Sequence, residues 1–180
     1  MNLCDIDQIK ALLARHGFRF SKSMGQNFLI QPWVPRDIAC SSGAGSGKGV
    51  LEIGPGIGPL TRELSLLADQ VVSVELDRSL LPILTETLGD RDNVEIVSGD
   101  ILKLDIPSLV RERFQGLEPI ACANLPYNIT TPAITALLDA GCFSSITIMI
   151  QREVARRICA TPGSGDYGAF SVYCQYHAET

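Results

Sequence analysis

Residues 50–61, Val-Leu-Glu-Ile-Gly-Pro-Gly-Ile-Gly-Pro-Leu-Thr, constrain this chain more than any other stretch. An apolar, β-prone run stops at Gly54, Gly56 and Gly58, and an amphipathic run follows at once. The pattern predicts strand, tight turn, helix. Glycines at such a turn permit positive φ and let a ligand lie against the backbone, while the following helix opens with unpaired N–H groups. The spacing G-x-G-x-G differs from the dinucleotide fingerprint G-x-G-x-x-G, and Pro55 and Pro59 remove two N–H groups that a pyrophosphate would use. The turn therefore favours a nucleoside ligand without phosphates. Glu52, two residues before the first glycine, adds a carboxylate suited to a cationic or hydroxyl-bearing ligand. S-adenosylmethionine, with its sulfonium, ammonium and ribose, meets that description. On this motif alone, a glycine turn of purely structural purpose is the competing reading.

The next segments repeat the arrangement. A helix is predicted over 59–67 and a second strand over 71–75, whose last residue, Glu75, lies 21 residues beyond Gly54. That is the distance at which a βαβ unit sets a carboxylate beside ribose hydroxyls. A helix over 78–88 tolerates Pro82 near its start. A third strand over 94–97 then ends at Gly99-Asp100, where a carboxylate can accept a hydrogen bond from an adenine amino group. Ligand groups at the carboxyl ends of successive strands predict an α/β fold, an open and mostly parallel sheet with helices on both faces.

A fourth strand, 119–123, runs into Asn124-Leu-Pro-Tyr127-Asn-Ile-Thr-Thr-Pro132. Pro126 stiffens the backbone and restricts Leu125 to an extended shape, so the Asn124 amide and the nearby carbonyls become fixed acceptors. Tyr127 offers a planar face for stacking. Methylation of an exocyclic amine needs no strong base, because hydrogen bonds from its N–H groups to such acceptors leave the nitrogen lone pair available. Positioning then supplies most of the rate, and a stacked aromatic holds a base taken out of its helix. A polar turn between strand and helix is the plainer alternative. A fifth strand is predicted over 146–150. Residues 168–177 alternate as a strand does (Phe170, Val172, Cys174, Tyr176) but also carry helical spacing (Phe170, Tyr173, Tyr176, His177).

Composition narrows the rest. With 180 residues, 46% hydrophobic and 19% charged, the chain suits one domain with a sizeable core, and no apolar run approaches membrane-spanning length. No secretory leader or lipidation motif opens it. Six scattered cysteines form no C-x-x-C and sit mostly among apolar neighbours, as reduced core thiols would, which points to the cytoplasm. Two distant histidines, His16 and His177, give no zinc-ligand spacing, and no metal is expected. A net charge of −5 argues against a generic nucleic-acid binder and is compatible with a local basic face.

The amino-terminal part reads as helices. Asp5-Ile-Asp-Gln8 resembles a capping box before Ile6, Ile9, Leu12 and Leu13, and Gly17 is a stop. Lys10, Arg15, Arg19 and Lys22, interleaved with Phe18 and Phe20, suit RNA backbone and bases, and equally a solvated face over a hydrophobic patch. Pro32 begins a second helix, to about Ser41. Residues 42–49 form a Gly/Ser linker, and its Gly-Lys pair fails as a phosphate loop because Gly49, not Ser or Thr, follows Lys48. The division expected is 1–48, amino-terminal helices with a cofactor lid and an RNA-facing segment, and 49–180, a Rossmann-like catalytic domain.

Gly25-Gln-Asn-Phe-Leu29, Leu51-Glu-Ile-Gly-Pro-Gly-Ile-Gly-Pro-Leu-Thr61, Val74-Glu-Leu-Asp77, the Asn124 to Pro132 run, Met149-Ile-Gln-Arg-Glu-Val-Ala-Arg-Arg157, Asp166-Tyr-Gly168 and Ser171-Val172 together resemble the small-subunit ribosomal RNA adenine dimethyltransferases. The resemblance implies a class I S-adenosylmethionine-dependent methyltransferase that dimethylates the N6 amines of two adjacent adenosines near the 3′ end of 16S rRNA during small-subunit assembly. The erythromycin-resistance methyltransferases of 23S rRNA are a related alternative, and a non-catalytic assembly factor of the same fold is a third. Position by position, the resemblance assigns cofactor contacts to Asn27, Leu29, Gly54, Gly56, Glu75, Asp100, Ile101 and Asn124, with residues 26–29 as a lid. It assigns the catalytic positions to Asn124, Leu125, Pro126 and Tyr127, the Leu125 carbonyl helping Asn124 to orient the amine. Arg152, Arg156 and Arg157 become phosphate contacts, and residues 168–177 a helix.

Family members extend further, through two more strands and a small helical domain, so the chain is expected to correspond to their amino-terminal part. The strand 146–150 is then expected at a sheet edge. It is apolar, β-prone and uncharged, and such an edge invites self-association.

Overall fold

The apolar runs become strands because each is covered on both sides. The computed structural model describes residues 1–18 and 29–180. Five parallel strands, β1 (Lys48–Ile53), β2 (Gln70–Glu75), β3 (Val94–Ser98), β4 (Glu118–Asn124) and β5 (Ile146–Met149), form one sheet in the order β3-β2-β1-β4-β5. Parallel sheets need crossover connections, and helices lying on both faces leave the central strands continuously buried. In β1 and β2 every residue after the first is buried.

Successive side chains divide between the two faces. Leu51, Ile53, Val72, Val74, Ala121 and Ala123 form one core with residues of α5 (Ile106–Arg113), α6 (Thr130–Ala140) and α8 (Ala169–His177). Val50, Val71, Ile120 and Cys122 point the other way, onto α2 (Trp33–Ser41) and α3 (Pro59–Ser65). Beyond them, Val94 and Ile96 of β3 meet a cluster built by α1 (Ile6–Arg15) and α4 (Leu81–Leu88). Helix α7 (Arg152–Ile158) follows β5 and packs on α8. Gly49 is held to its identity by contact, since a Cβ there would lie 2.4 Å from the Phe114 ring.

The predicted elements are all present, with local differences. Asp5 accepts hydrogen bonds from the Asp7 and Gln8 N–H groups, but Gln8 reaches back to the Asn2 N–H, so the reciprocal bond of a capping box closes outside the cap. The helix expected over 78–88 is a 3₁₀ turn, Arg78–Leu80, leading into α4, because Pro82 has no N–H and tightens the entry. Residues 168–177 resolve in favour of helix: Ser171 is buried, its hydroxyl donating to the Arg157 carbonyl and accepting from Gly168 N–H. Helix α5 had no counterpart in the sequence reading; Asp105 caps it by accepting from Ser108 N–H, and Pro107 sits in its first turn. The fifth strand lies at an edge of the sheet, as expected.

The chain leaves β1 toward β2 and β3, then returns to the other side of β1 for β4 and β5. Strands β1 and β4 thus flank the point where the order reverses, and a crevice opens beyond their carboxyl ends.

Candidate functional site

The glycine turn after β1 forms the floor of that crevice. Gly54, Gly56 and Gly58 have φ of 69°, 62° and 91°, values that side chains with a Cβ rarely adopt. Their N–H groups are all engaged within the protein. Gly54 donates to the Val74 carbonyl (2.9 Å), Gly58 to the Pro55 carbonyl (2.9 Å), and Gly56 to Glu75 Oε2 (3.3 Å). Pro55 and Pro59 have none to offer. A turn with its donors occupied in this way makes no cradle for a pyrophosphate, as the spacing implied.

Glu75 ends β2 and is buried, 6% exposed, with Asp77 N–H donating to Oε1 (2.8 Å) and Gly56 N–H to Oε2. Burial pushes its carboxyl above the ordinary value, and these backbone bonds oppose the rise. Both oxygens are fixed, and each retains a lone pair for a ligand hydroxyl. Asp100, beyond β3, accepts from Leu102 N–H at Oδ1 (3.1 Å) and pairs with Lys103 Nζ at Oδ2 (3.4 Å).

On the opposite wall, Asn124 closes β4 in register with Met149 of β5, and Leu125 N–H donates to the Met149 carbonyl (3.2 Å). The Thr130 hydroxyl donates to the Pro126 carbonyl (3.0 Å), tying the Asn-Leu-Pro-Tyr segment to the start of α6. Leu125 is buried, while Tyr127 stands 53% exposed at the mouth. The two walls meet where Gly54 approaches the Pro126 ring; a Cβ at Gly54 would sit 3.6 Å from it.

One cavity of about 160 Å³ is lined by Leu29, Gly54, Gly56, Glu75, Asp100, Ile101, Asn124, Leu125, Pro126 and Tyr127. These are the cofactor and catalytic positions that the resemblance assigned, except Asn27, which lies outside the described residues, as does most of the expected lid, 26–28. Arg152, Arg156 and Arg157 are exposed on α7 and do not line the cavity. Among the described residues no three His, Cys, Asp or Glu side chains converge as metal ligands, and no helix is long and apolar enough to cross a membrane.

Two wall residues were placed incompletely or missed by sequence reasoning. Glu52 lines the cavity, yet it is 1% exposed, with Oε2 accepting from Thr61 Oγ1 (2.7 Å) and Ser73 Oγ (2.6 Å). Desolvation pushes its pKa to about 7, repulsion from Glu75 adds to the rise, and the two hydroxyl bonds resist it. Across the ladder, Cys122 is pushed up to about 12, mainly by burial and then by the Glu52 charge. Leu76 also lines the cavity while remaining 54% exposed. Its signal was an apolar residue directly after an acidic strand end, where a flat ligand can cover it.

An open parallel sheet with a glycine turn after β1, an acidic end to β2 and no free phosphate cradle defines the class I methyltransferase fold. Within it, the chain belongs to the ribosomal RNA adenine dimethylase family, whose sequence profile matches residues 17–180. The chain is 45% identical over 172 residues to the ribosomal RNA small subunit methyltransferase A of Clostridioides difficile, covering 95% of this chain and 60% of that protein. It is 48% identical over 171 residues to that of Shouchella clausii, covering 94% and 58%. It therefore spans about three fifths of the length of these relatives. Among solved structures it resembles the 23S rRNA methyltransferase ErmE, with 34% identity and a TM-score of 0.67, over 82% of this chain and 55% of that one. A dimethyladenosine transferase from Plasmodium falciparum matches with 28% identity and a TM-score of 0.67, over 79% and 50%.

If Glu75 holds ligand hydroxyls, Glu75→Ala should weaken S-adenosylmethionine binding tenfold or more, because a hydrogen bond to a charged group contributes about 1.5–3 kcal/mol. Calorimetry at matched pH checks this, and unchanged affinity would remove the ribose role.

Proposed function

We propose that the chain is the cofactor-binding and catalytic part of an S-adenosylmethionine-dependent enzyme that dimethylates the N6 amines of two adjacent adenosines near the 3′ end of 16S rRNA, in the cytoplasm, during small-subunit biogenesis. The observation that carries this reading is the meeting of Asn124-Leu-Pro-Tyr127 with the Glu75 and Asp100 walls across the Gly54–Pro126 contact, in a chain of this family. The donor set fits the cofactor: fixed carboxylate oxygens on Glu75 for hydroxyls, Asp100 with Ile101 for the adenine, and Leu29, Gly54, Gly56 and Asn124 around the remainder. Asn27 belongs to the same proposed contact set, although it lies outside the described residues. When bound, S-adenosylmethionine supplies an electrophilic methyl group.

The protein's part is positioning. Asn124, fixed by its place at the end of β4, accepts a hydrogen bond from the target amine. The Leu125 carbonyl takes the second N–H, and Pro126 keeps that carbonyl in an extended backbone. Tyr127 stacks on the base. No side chain needs to act as a strong base, since the methylated amine loses its proton to water. The arginines of α7 are assigned to RNA phosphates.

Likeness to ErmE keeps 23S rRNA as the second reading, but relatives at 45–48% identity carry the small-subunit name. Tritium transfer from labelled cofactor to undermethylated small subunits, large-subunit RNA and DNA separates the readings. Label confined to small subunits is expected. Label in large-subunit RNA alone would overturn the assignment, and, in a protein extended to the length of its relatives, cofactor binding without transfer to any acceptor would favour the non-catalytic assembly factor.

We also propose that the 180-residue chain self-associates through β5, whose Ile146–Met149 backbone forms an open edge among the described residues. Light scattering should show mass rising with concentration, and Thr147→Lys, on the strand face turned away from the core that holds Ile148, should suppress the rise. A strictly monomeric chain at the highest soluble concentration would remove the proposal.

A further inference from the structure

Trp33 opens α2 and is 61% exposed, and Ile30, three residues earlier, is 47% exposed. Single exposed apolar residues are ordinary. These two are distinguished by their location, which two independent measures give. Leu29 lines the cavity, and four residues of chain span at most roughly 14 Å, so Trp33 cannot lie far from the mouth. The second measure comes from α2 itself. Its carboxyl end is tied to the start of β5 by Ser145 Oγ donating to the Ser42 carbonyl (3.4 Å), and the helix packs along that strand. From there α2 climbs about 13 Å over nine residues, and β5 climbs about 13 Å over the four residues from Ser145 to Met149. With Leu29 lining the cavity and Ser42 held at the start of β5, α2 runs between the two edges of the sheet, and Trp33 opens it at the cavity end.

Trp33 thus lies toward the carboxyl edge of the sheet, at the start of a helix that packs on α3 and β5. Pro35 and Ala39 turn α2 inward, whereas Trp33, Arg36 and Asp37 face solvent. Arg152, the first residue of α7, follows β5 at the same edge and is exposed. An exposed indole with guanidinium groups nearby is how a protein holds unpaired nucleotides: bases stack on the ring, and the cations meet the backbone.

We propose that Trp33 is a stacking platform for an unpaired base of the RNA that flanks the adenosine held by Tyr127, with Arg36 and Arg152 meeting the adjoining phosphates. The proposal rests on the RNA-methyltransferase reading and adds a second contact that determines how the acceptor strand is threaded. Two aromatic residues on one edge would grip the strand at separate points, so that the target base can leave its stack while a neighbour remains stacked.

The chain has a single tryptophan, so its emission reports on this position alone. The protein is titrated with a short single-stranded oligoribonucleotide containing two adjacent adenosines, and binding is followed in parallel by the anisotropy of a labelled copy. Tryptophan emission should be quenched along the same isotherm. Trp33→Ala should weaken RNA binding by about tenfold, within the range for one lost base stack, and Trp33→Phe should recover most of it. Because the side chain is exposed, neither variant should alter the thermal melt, and cofactor affinity by calorimetry should be the same in all three. Emission that stays constant while anisotropy reports binding would overturn the proposal, as would a Trp33→Ala variant with undiminished RNA affinity. Quenching by complete small subunits but not by naked RNA would assign the ring to a protein contact and equally overturn it. The enzyme reading is tested separately by tritium transfer with the unaltered protein, so its failure cannot be mistaken for failure of the platform.

Discussion

Asn124→Ala is expected to lower the rate of methyl transfer by about a hundredfold or more while leaving RNA affinity within about threefold, because misplacing the reacting group costs rate on that order. The side chain closes β4 at the wall of the cavity, level with Met149 and one residue from the buried Leu125. RNA affinity is dominated by backbone contacts elsewhere, which this substitution does not touch. Single-turnover transfer with saturating RNA, paired with equilibrium binding of the same RNA, separates the two effects. Tyr127→Phe should be mild, since stacking needs the ring and not the hydroxyl. An Asn124→Ala variant with normal turnover would refute the proposed mechanism.

Glu52→Gln should make the cofactor-free protein more stable at pH 8 by up to about 3 kcal/mol and leave it nearly unchanged at pH 4.5. In the fold the Glu52 carboxyl is raised from 4.5 to about 7. The neutral form is the one the buried site favours. Its contribution is therefore complete below the unfolded pKa, declines as pH rises between 4.5 and about 7, and is lost above that. Glutamine keeps an oxygen for the Thr61 and Ser73 hydroxyls and cannot ionise. Urea unfolding at the two pH values is the measurement, and equal stability at pH 8 would contradict the account. A carboxylate kept at such a cost beside a ligand cavity fits one that faces the cationic end of the cofactor. S-adenosylmethionine should accordingly raise the melting temperature of the parent more than that of the variant at pH 8.

The frame of the fold was readable because parallel strands covered on both faces leave buried, mostly apolar runs, and residues 50–53, 71–74 and 120–123 are such runs, broken only by Glu52 and Ser73. The ligand-facing positions were readable for a related reason. A polar residue at the end of an apolar strand has little structural purpose; Glu75 and Asn124 occupy that position, and Asp100 follows β3 by two residues. What could not be read depends on partners distant in the chain. Glu52 looked like a group at a turn, and only register brings Ser73 and Cys122 beside it, while α3 adds Thr61. Helix α5 escaped notice because only Ile106 and Val110 are buried, too few for a clear period. Residues 168–177 carried both periods, and the choice of helix is enforced by Ser171 bonding to the Arg157 carbonyl, a contact across the α7–α8 packing.

The reversal of strand order between β1 and β4 separates inheritance from specialisation. Everything proposed to hold the cofactor's nucleoside hangs from β1, β2 and β3, whereas the groups proposed to face the acceptor hang from β4, β5 and the helix in front of them. The two sets meet where Gly54 approaches Pro126, above the continuous ladder that pairs β1 with β4. Substitutions at ligand-facing positions of one half, away from the shared ladder and core, can therefore accumulate with little effect on the other. Such a division allows an ancestor to keep one methyl-donor pocket while its descendants diverge toward different RNA strands. The residues that tell a small-subunit enzyme from a large-subunit one should accordingly cluster on the β4–β5 half, and exchanging that half between relatives, with Asn124 kept, should transfer acceptor preference while recognition of the nucleoside stays with the β1–β3 half.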